Sequence, residues 1–199
     1  MRLAKGIVAA LVATAAVSAC TSGSTGGTAT PATQTTSSDA PTTTSKAPST
    51  RPKEIKLDGV DPCTLLTSAQ QAELKIDEAE SDPAKIIQNT TSPSCSYTNN
   101  SAKAFGYHVT LVTTEGIGYW DGSGNLDVSP KTVAGYDAAQ IFLKGTSTGD
   151  CSITLDVADG QQLYVQFLPL SPKAFTQDEM CQNATKGAES ALSTLRTLK

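Results

Sequence analysis

"SITLDVADGQQLYVQFL", residues 152–168, decides the fold. Apolar and polar residues alternate on both sides of Asp159-Gly160, a dipeptide that supplies the backbone a two-residue hairpin turn requires. The stretch therefore predicts two antiparallel strands. In the first of them Ile153, Leu155 and Val157 share a face, and Cys151 has the same parity, so its thiol points inward with them.

The next segment toward the C-terminus opens on Thr176-Gln177-Asp178-Glu179, a capping box, and continues as a helix to about Leu198. Cys181, Ala184, Ala188, Ala191, Leu195 and Leu198 fall on one stripe by three-and-four spacing. Cys181 thus also points inward. An inward cysteine on a strand and another on a helix packed over it predict a Cys151–Cys181 bridge. Of the three pairings open to four cysteines, this leaves Cys63–Cys95 for the other pair. Each bridge closes a loop of about thirty residues, worth roughly 3–4 kcal/mol in the chain-entropy treatment. Redox and metal roles are not favoured, because there is no C-x-x-C and only one histidine.

Upstream, "DPCTLLTSAQQAEL" (61–74) starts a helix in two steps. Asp61 caps Pro62 at a first helical position, and Thr67 with Gln70 forms a second capping box. "PSCSYTN" (93–99) and "AFGYHVTLVTT" (104–114) are strand-like, the latter with Phe105, Tyr107, Val109 and Leu111 on one face. "KTVAGYDAAQIFLKG" (131–145) reads as a Gly-Tyr turn feeding another strand. The expected fold class is α+β: an antiparallel sheet with N-terminal and C-terminal helices packed on one face and two disulfides.

Residues 1–19 have the build of an export signal: Arg2 and Lys5, an apolar run from Gly6 to Val17, then small residues. The run is about a dozen residues, against the roughly twenty that span a bilayer. Val17-Ser18-Ala19-Cys20 resembles the lipobox of bacterial lipoproteins, which makes Cys20 the expected lipid attachment site and more than one acyl chain the expected anchor. Thr21 to Pro52 contains no Leu, Ile, Val or aromatic residue and cannot offset the entropy of folding, so 20–53 is expected to be a disordered tether. A chain of that length spans on the order of 30 Å. The folded domain is then 54–199. Loss of Arg2 and Lys5 with the leader takes the formal charge from −4 to −6, and with no basic cluster nucleic acid is not an expected partner.

Asp61-Pro62-Cys63-Thr64-Leu65-Leu66-Thr67, Cys95-Ser96-Tyr97, Val133-Ala134-Gly135-Tyr136-Asp137-Ala138, Cys151 and a helical Cys181 together resemble the domain-of-unknown-function family 3558. The resemblance covers nearly all of the chain after the tether. It implies an exported, lipid-anchored actinobacterial envelope protein with two disulfides, and it supplies no catalytic residues.

His108 is the sole histidine, so any Ser-His-Asp chemistry runs through it. It has the parity of Gly106 and Thr110, opposite the apolar positions, which reads as a solvent-facing histidine, and no G-x-S-x-G elbow supplies a nucleophile. Asp121, Ser123, Asn125 and Asp127 alternate like the start of a calcium loop, but Leu126 and Thr132 stand where its glycine and glutamate belong. The loop's glycine spacing does not match a dinucleotide fingerprint either. Asp77, Glu78, Glu80 and Asp82 read as a solvated connector. The loop bearing Tyr119, Trp120 and Asp121 is the expected ligand contact, the competing reading being that Trp120 tucks back over the sheet. The functional expectation is a non-enzymatic binding or accessory module held to the membrane by its lipid, without cofactor or metal, with an envelope protein or cell-wall component as partner. The alternative is an envelope hydrolase using His108, and a structural coat lipoprotein is a third, weaker reading.

Overall fold

The computed structural model describes residues 51–145 and 149–199; the leader, Cys20 and most of the segment expected to be a tether lie outside the described residues. The hairpin forms as its sequence dictates. One strand is Cys151–Ala158, the other Gln161–Pro169, and Gly160 sits at φ 69 in the turn, where a Cβ would be strained. In chain order the strands are β1 (Glu78–Ser81), β2 (Ser94–Asn99), β3 (Phe105–Val112), β4 (Leu126–Val133), β5 (Tyr136–Leu143), β6 (Cys151–Ala158) and β7 (Gln161–Pro169). Helix α1 (Ser68–Glu73) precedes them, after a 3-10 turn at Pro62–Thr64, and helix α2 (Gln177–Leu198) follows. All seven strands form one antiparallel sheet in the order β1-β2-β3-β7-β6-β5-β4.

Both helices are capped as their sequences require. The Thr67 and Thr176 side chains accept from the N–H groups of Gln70 and Glu179, whose side chains reach back to the capping residues. Cys181, Ala184, Ala188, Ala191 and Leu195 are buried on α2. They pack on the sheet face that carries Tyr107, Val109, Leu111, Ile153, Leu155, Leu163, Val165 and Phe167. Leu198 departs from the expected stripe: it is 51% exposed at the last turn. Both predicted disulfides are formed, Cys63–Cys95 and Cys151–Cys181.

The residues that carry the resemblance make contacts within the fold. Asp61 Oδ1 accepts from Cys63 N at 2.9 Å and starts the 3-10 turn. The Tyr97 hydroxyl donates to Pro62 O at 2.8 Å and accepts from Leu66 N at 3.3 Å, beside the Cys63–Cys95 bridge. Burial pushes that phenol up to about 12, so it stays a donor at any physiological pH. The β4–β5 turn is Ala134-Gly135, one residue earlier than the expected Gly-Tyr, with both residues at positive φ as a primed hairpin turn demands. Tyr136 lies beneath the Arg196 guanidinium and donates to Lys53 O at 2.8 Å. The Arg51 side chain, 5% exposed, pairs with Asp156 and Asp159, so the packed body already includes residues ahead of 54. Glu78–Ser81, expected within a solvated connector, is edge strand β1, and its residues are exposed.

The link from β3 to β4 passes over the positions of β7, β6 and β5, so residues 113–125 must cross a face of the sheet. With α2 on one face, the link covers the other. It carries Trp120 onto Val112, Ala139, Ile141 and Tyr164 to form a second, smaller apolar cluster with Ile87.

Candidate ligand cleft

The expected contact loop is a lid turned inward. Trp120 is only 6% exposed, its ring stacks on Tyr164 at 5.6 Å, and its Nε1 donates to Gln162 Oε1 at 2.7 Å. Gln162 also accepts from Thr154 Oγ1 and donates to the carbonyls of Glu115 and Gly116 at 3.0 and 3.1 Å. Nearby, the Ser152 and Tyr164 hydroxyls share a hydrogen bond of 2.6 Å, and Thr110 donates to Ser94 at 2.8 Å. Burial pushes Tyr164 up to about 12. The tryptophan is therefore a core residue and not a contact platform. Its neighbours Tyr119, 37% exposed, and Asp121 remain at the surface, and Tyr119 accepts from Gln88 N through its hydroxyl.

His108 lies on this same face in a cross-strand row with Ser96, Gln166 and Ser152. It is half-buried, not solvent-facing, and burial lowers its pKa while Asp82 opposes the shift. Gln166 is engaged by Asp150 at 2.5 Å, and the His108 imidazole makes no hydrogen bond among the described residues. No serine, threonine or cysteine side chain is hydrogen-bonded to the imidazole among the described residues. No group of three or more His, Cys, Asp or Glu side chains able to hold a metal occurs among the described residues, Asp121 and Asp127 included.

A cleft opens on the α2 side of the sheet, in a region where the sequence offered no motif. Its volume is about 360 Å³, and it lies between the end of α1, the β2–β3 turn, the segment before α2 and the first half of α2. Phe105, Tyr107 and Phe175 form the floor, their rings meeting edge to face or linked through Phe167. Lys75, Lys103 and Lys186 stand around the rim with Glu73, and Asn183 projects from α2. Lys103 Nζ sits 4.2 Å above the Phe175 ring, a favourable cation–π geometry. None of the three ammonium groups forms an ion pair among the described residues.

Two backbone features build this place. Helix α1 ends in a Schellman motif, with Ile76 N bonding Gln71 O at 2.8 Å and Lys75 N bonding Ala72 O at 3.2 Å. The left-handed position of that motif, φ 60, is usually glycine and here is Lys75, held by Asn99 Nδ2 donating to its carbonyl at 2.6 Å. Strain of this kind costs about 1–2 kcal/mol in an L-residue. On α2, Gly187 lies against the Tyr107 ring so closely that a Cβ would come within 2.8 Å of Cδ1 and 2.9 Å of Cε1. A helix-interior glycine costs about 1 kcal/mol relative to alanine, and here it lets α2 settle on the tyrosine.

Tyr107 is 2% exposed, and burial pushes its phenol well above the ordinary tyrosine value. Its hydroxyl makes no hydrogen bond among the described residues and opens on the cleft. Asn99, by contrast, is consumed by the fold, since its Oδ1 accepts from Ser101 N and Oγ. The cleft thus offers an apolar floor, one unsatisfied hydroxyl, a free amide at Asn183 and more positive than negative charge, on a protein whose overall charge is negative.

No curated protein and no solved structure matches the chain. The family described as "Protein of unknown function (DUF3558)" matches residues 15–194, and the chain belongs to it.

Proposed function

We propose, from membership of DUF3558, that this protein is a lipid-anchored lipoprotein of the actinobacterial cell envelope whose folded body is a non-enzymatic module binding a small solute in the Tyr107 cleft. The lipobox-like Val17–Cys20 segment behind a short apolar run supports the anchor, and two disulfides suit an oxidising compartment. Binding is carried by one observation: the hydroxyl of a buried tyrosine, paired with no protein group among the described residues, opens on the floor of a cleft. A hydroxyl that opens on a cleft and is spent on no bond within the fold is available to a ligand oxygen.

Two measurements test the reading. Intact mass of the membrane-fraction protein should show acyl chains that vanish in Cys20→Ala; an unmodified chain in both would remove the anchor. For binding, chemical shifts of the Asn183 side-chain amide should respond to at least one of three probes: N-acetylglucosamine, a short alanine-rich peptide or octanoate. A silent Asn183 with all three, each at millimolar concentration, would remove the cleft as a binding site.

A further inference from the structure

The free groups of the cleft are unequal in kind. Lys75, Lys103 and Lys186 are donors only, the Tyr107 hydroxyl and the Asn183 amide both donate and accept, and Glu73 is the sole carboxylate in the lining. A ligand that satisfies them is rich in acceptors and carries negative charge. The floor is aromatic, with Leu74 beside it, so the rest of the ligand is apolar. A volume of about 360 Å³ stands at the small end of the roughly 300–1,000 Å³ typical of ligand pockets, room for one short chain or ring and not for a diacyl lipid.

Lys75 adds an independent mark. Glycine would close the α1 Schellman motif without strain, yet a lysine occupies the left-handed position, and its ammonium belongs to the rim. The cleft also lies away from the start of the packed body. Arg51 is fixed at the β6–β7 turn by Asp156 and Asp159, whereas the cleft is at the Phe105 end of β3, which pairs with Pro169 at the far end of β7. Eight strand steps separate those ends, about 26 Å.

Resting on the binding reading above, we infer that the cleft takes a small single-chain amphiphilic anion, a carboxylate or phosphate ester, with its charged head at the Lys75–Lys103–Lys186 rim and its apolar body on the Phe105–Tyr107–Phe175 floor. The Tyr107 hydroxyl donates to a head-group oxygen. Carboxylate and phosphate present the same oxygens to these donors, and the probes below separate them.

The test is calorimetric titration of the Cys20→Ala protein with octanoate, octyl phosphate, octanol and inorganic phosphate. At least one octyl anion should bind ten-fold or more tightly than octanol and than inorganic phosphate, and whichever octyl anion binds more tightly names the head group. In Lys103→Gln/Lys186→Gln the advantage over octanol should fall to within about two-fold. Lys75→Gly, which relieves strain in place of adding it, should weaken octyl-anion binding while the fold becomes no less stable, so that loss of binding is not loss of structure. Equal binding of octanol and the anions would overturn the inference, as would binding of inorganic phosphate alone. Phosphatidylglycerol vesicles should retain the Cys20→Ala protein no better than phosphatidylcholine vesicles; preferential retention would point to a bilayer headgroup and overturn the single-chain assignment. If Asn183 responds to the sugar or the peptide and neither octyl anion binds, the anion class is wrong and the binding reading stands. If all probes are silent, both fall.

Discussion

Around Trp120 the polar groups that meet on the sheet are consumed in pairs: indole with Gln162, Gln162 with Thr154, Ser152 with Tyr164, Thr110 with Ser94. Around Tyr107, on the opposite face, a residue as buried as Trp120 turns its hydroxyl to a cleft, where among the described residues it has no hydrogen-bond partner and three ammonium groups at the rim form no ion pair. Both places hold aromatic clusters and both are built on the same central strands. The difference teaches how to separate a covered face from an open one: the aromatic that draws attention in a sequence is sealed, and the one that lines a cleft is hidden beneath a helix glycine.

The comparison can be broken most severely at the sealed side. Trp120→Ala should destabilise the protein by about 3–5 kcal/mol in urea unfolding, through lost packing and the orphaned Gln162, while leaving octyl-anion binding within two-fold. Lost binding with little lost stability would exchange the roles of the two places. At the open side, Lys75→Gly should raise stability by about 0.5–1 kcal/mol, since the left-handed position then carries no Cβ; a destabilised variant would show that the lysine serves the fold. The smallest effect concerns His108. Its folded-state pKa is depressed by burial, so the unfolded chain binds its proton first, and the associated stability is complete above about pH 6.5 and is lost as pH falls through the folded value. His108→Asn should flatten the fall in urea midpoint between pH 7.5 and 5.5. Asp58 and Glu179 have lowered pKa values too, but carboxylates act at more acid pH and do not enter that window.

What the sequence made legible was local. The hairpin follows from alternation around Asp159-Gly160, α2 from its capping box, and Cys151–Cys181 from the parity of one and the stripe of the other. Trp120 was ambiguous because its burial depends on a crossover, and a crossover is a property of strand order that no short window contains. The cleft was invisible for a related reason: Lys75, Lys103, Phe175 and Lys186 come from four separate segments. One signal was available in Gly187, a glycine within an otherwise alanine-and-leucine stripe, where close approach is the ordinary explanation. Leu198 was misplaced because periodicity continues to the end of a helix even where the sheet beneath it does not.

The central claim is that the Tyr107 hydroxyl does nothing for the fold. Urea unfolding of Tyr107→Phe beside Tyr97→Phe tests it directly, because the two phenols are equally buried and differ in having partners. Tyr97→Phe should cost about 1–3 kcal/mol by leaving Pro62 O and Leu66 N unsatisfied. Tyr107→Phe should leave stability unchanged within about 0.5 kcal/mol. A loss at Tyr107 as large as that at Tyr97 would contradict the account, since it would mean the hydroxyl is already spent inside the protein.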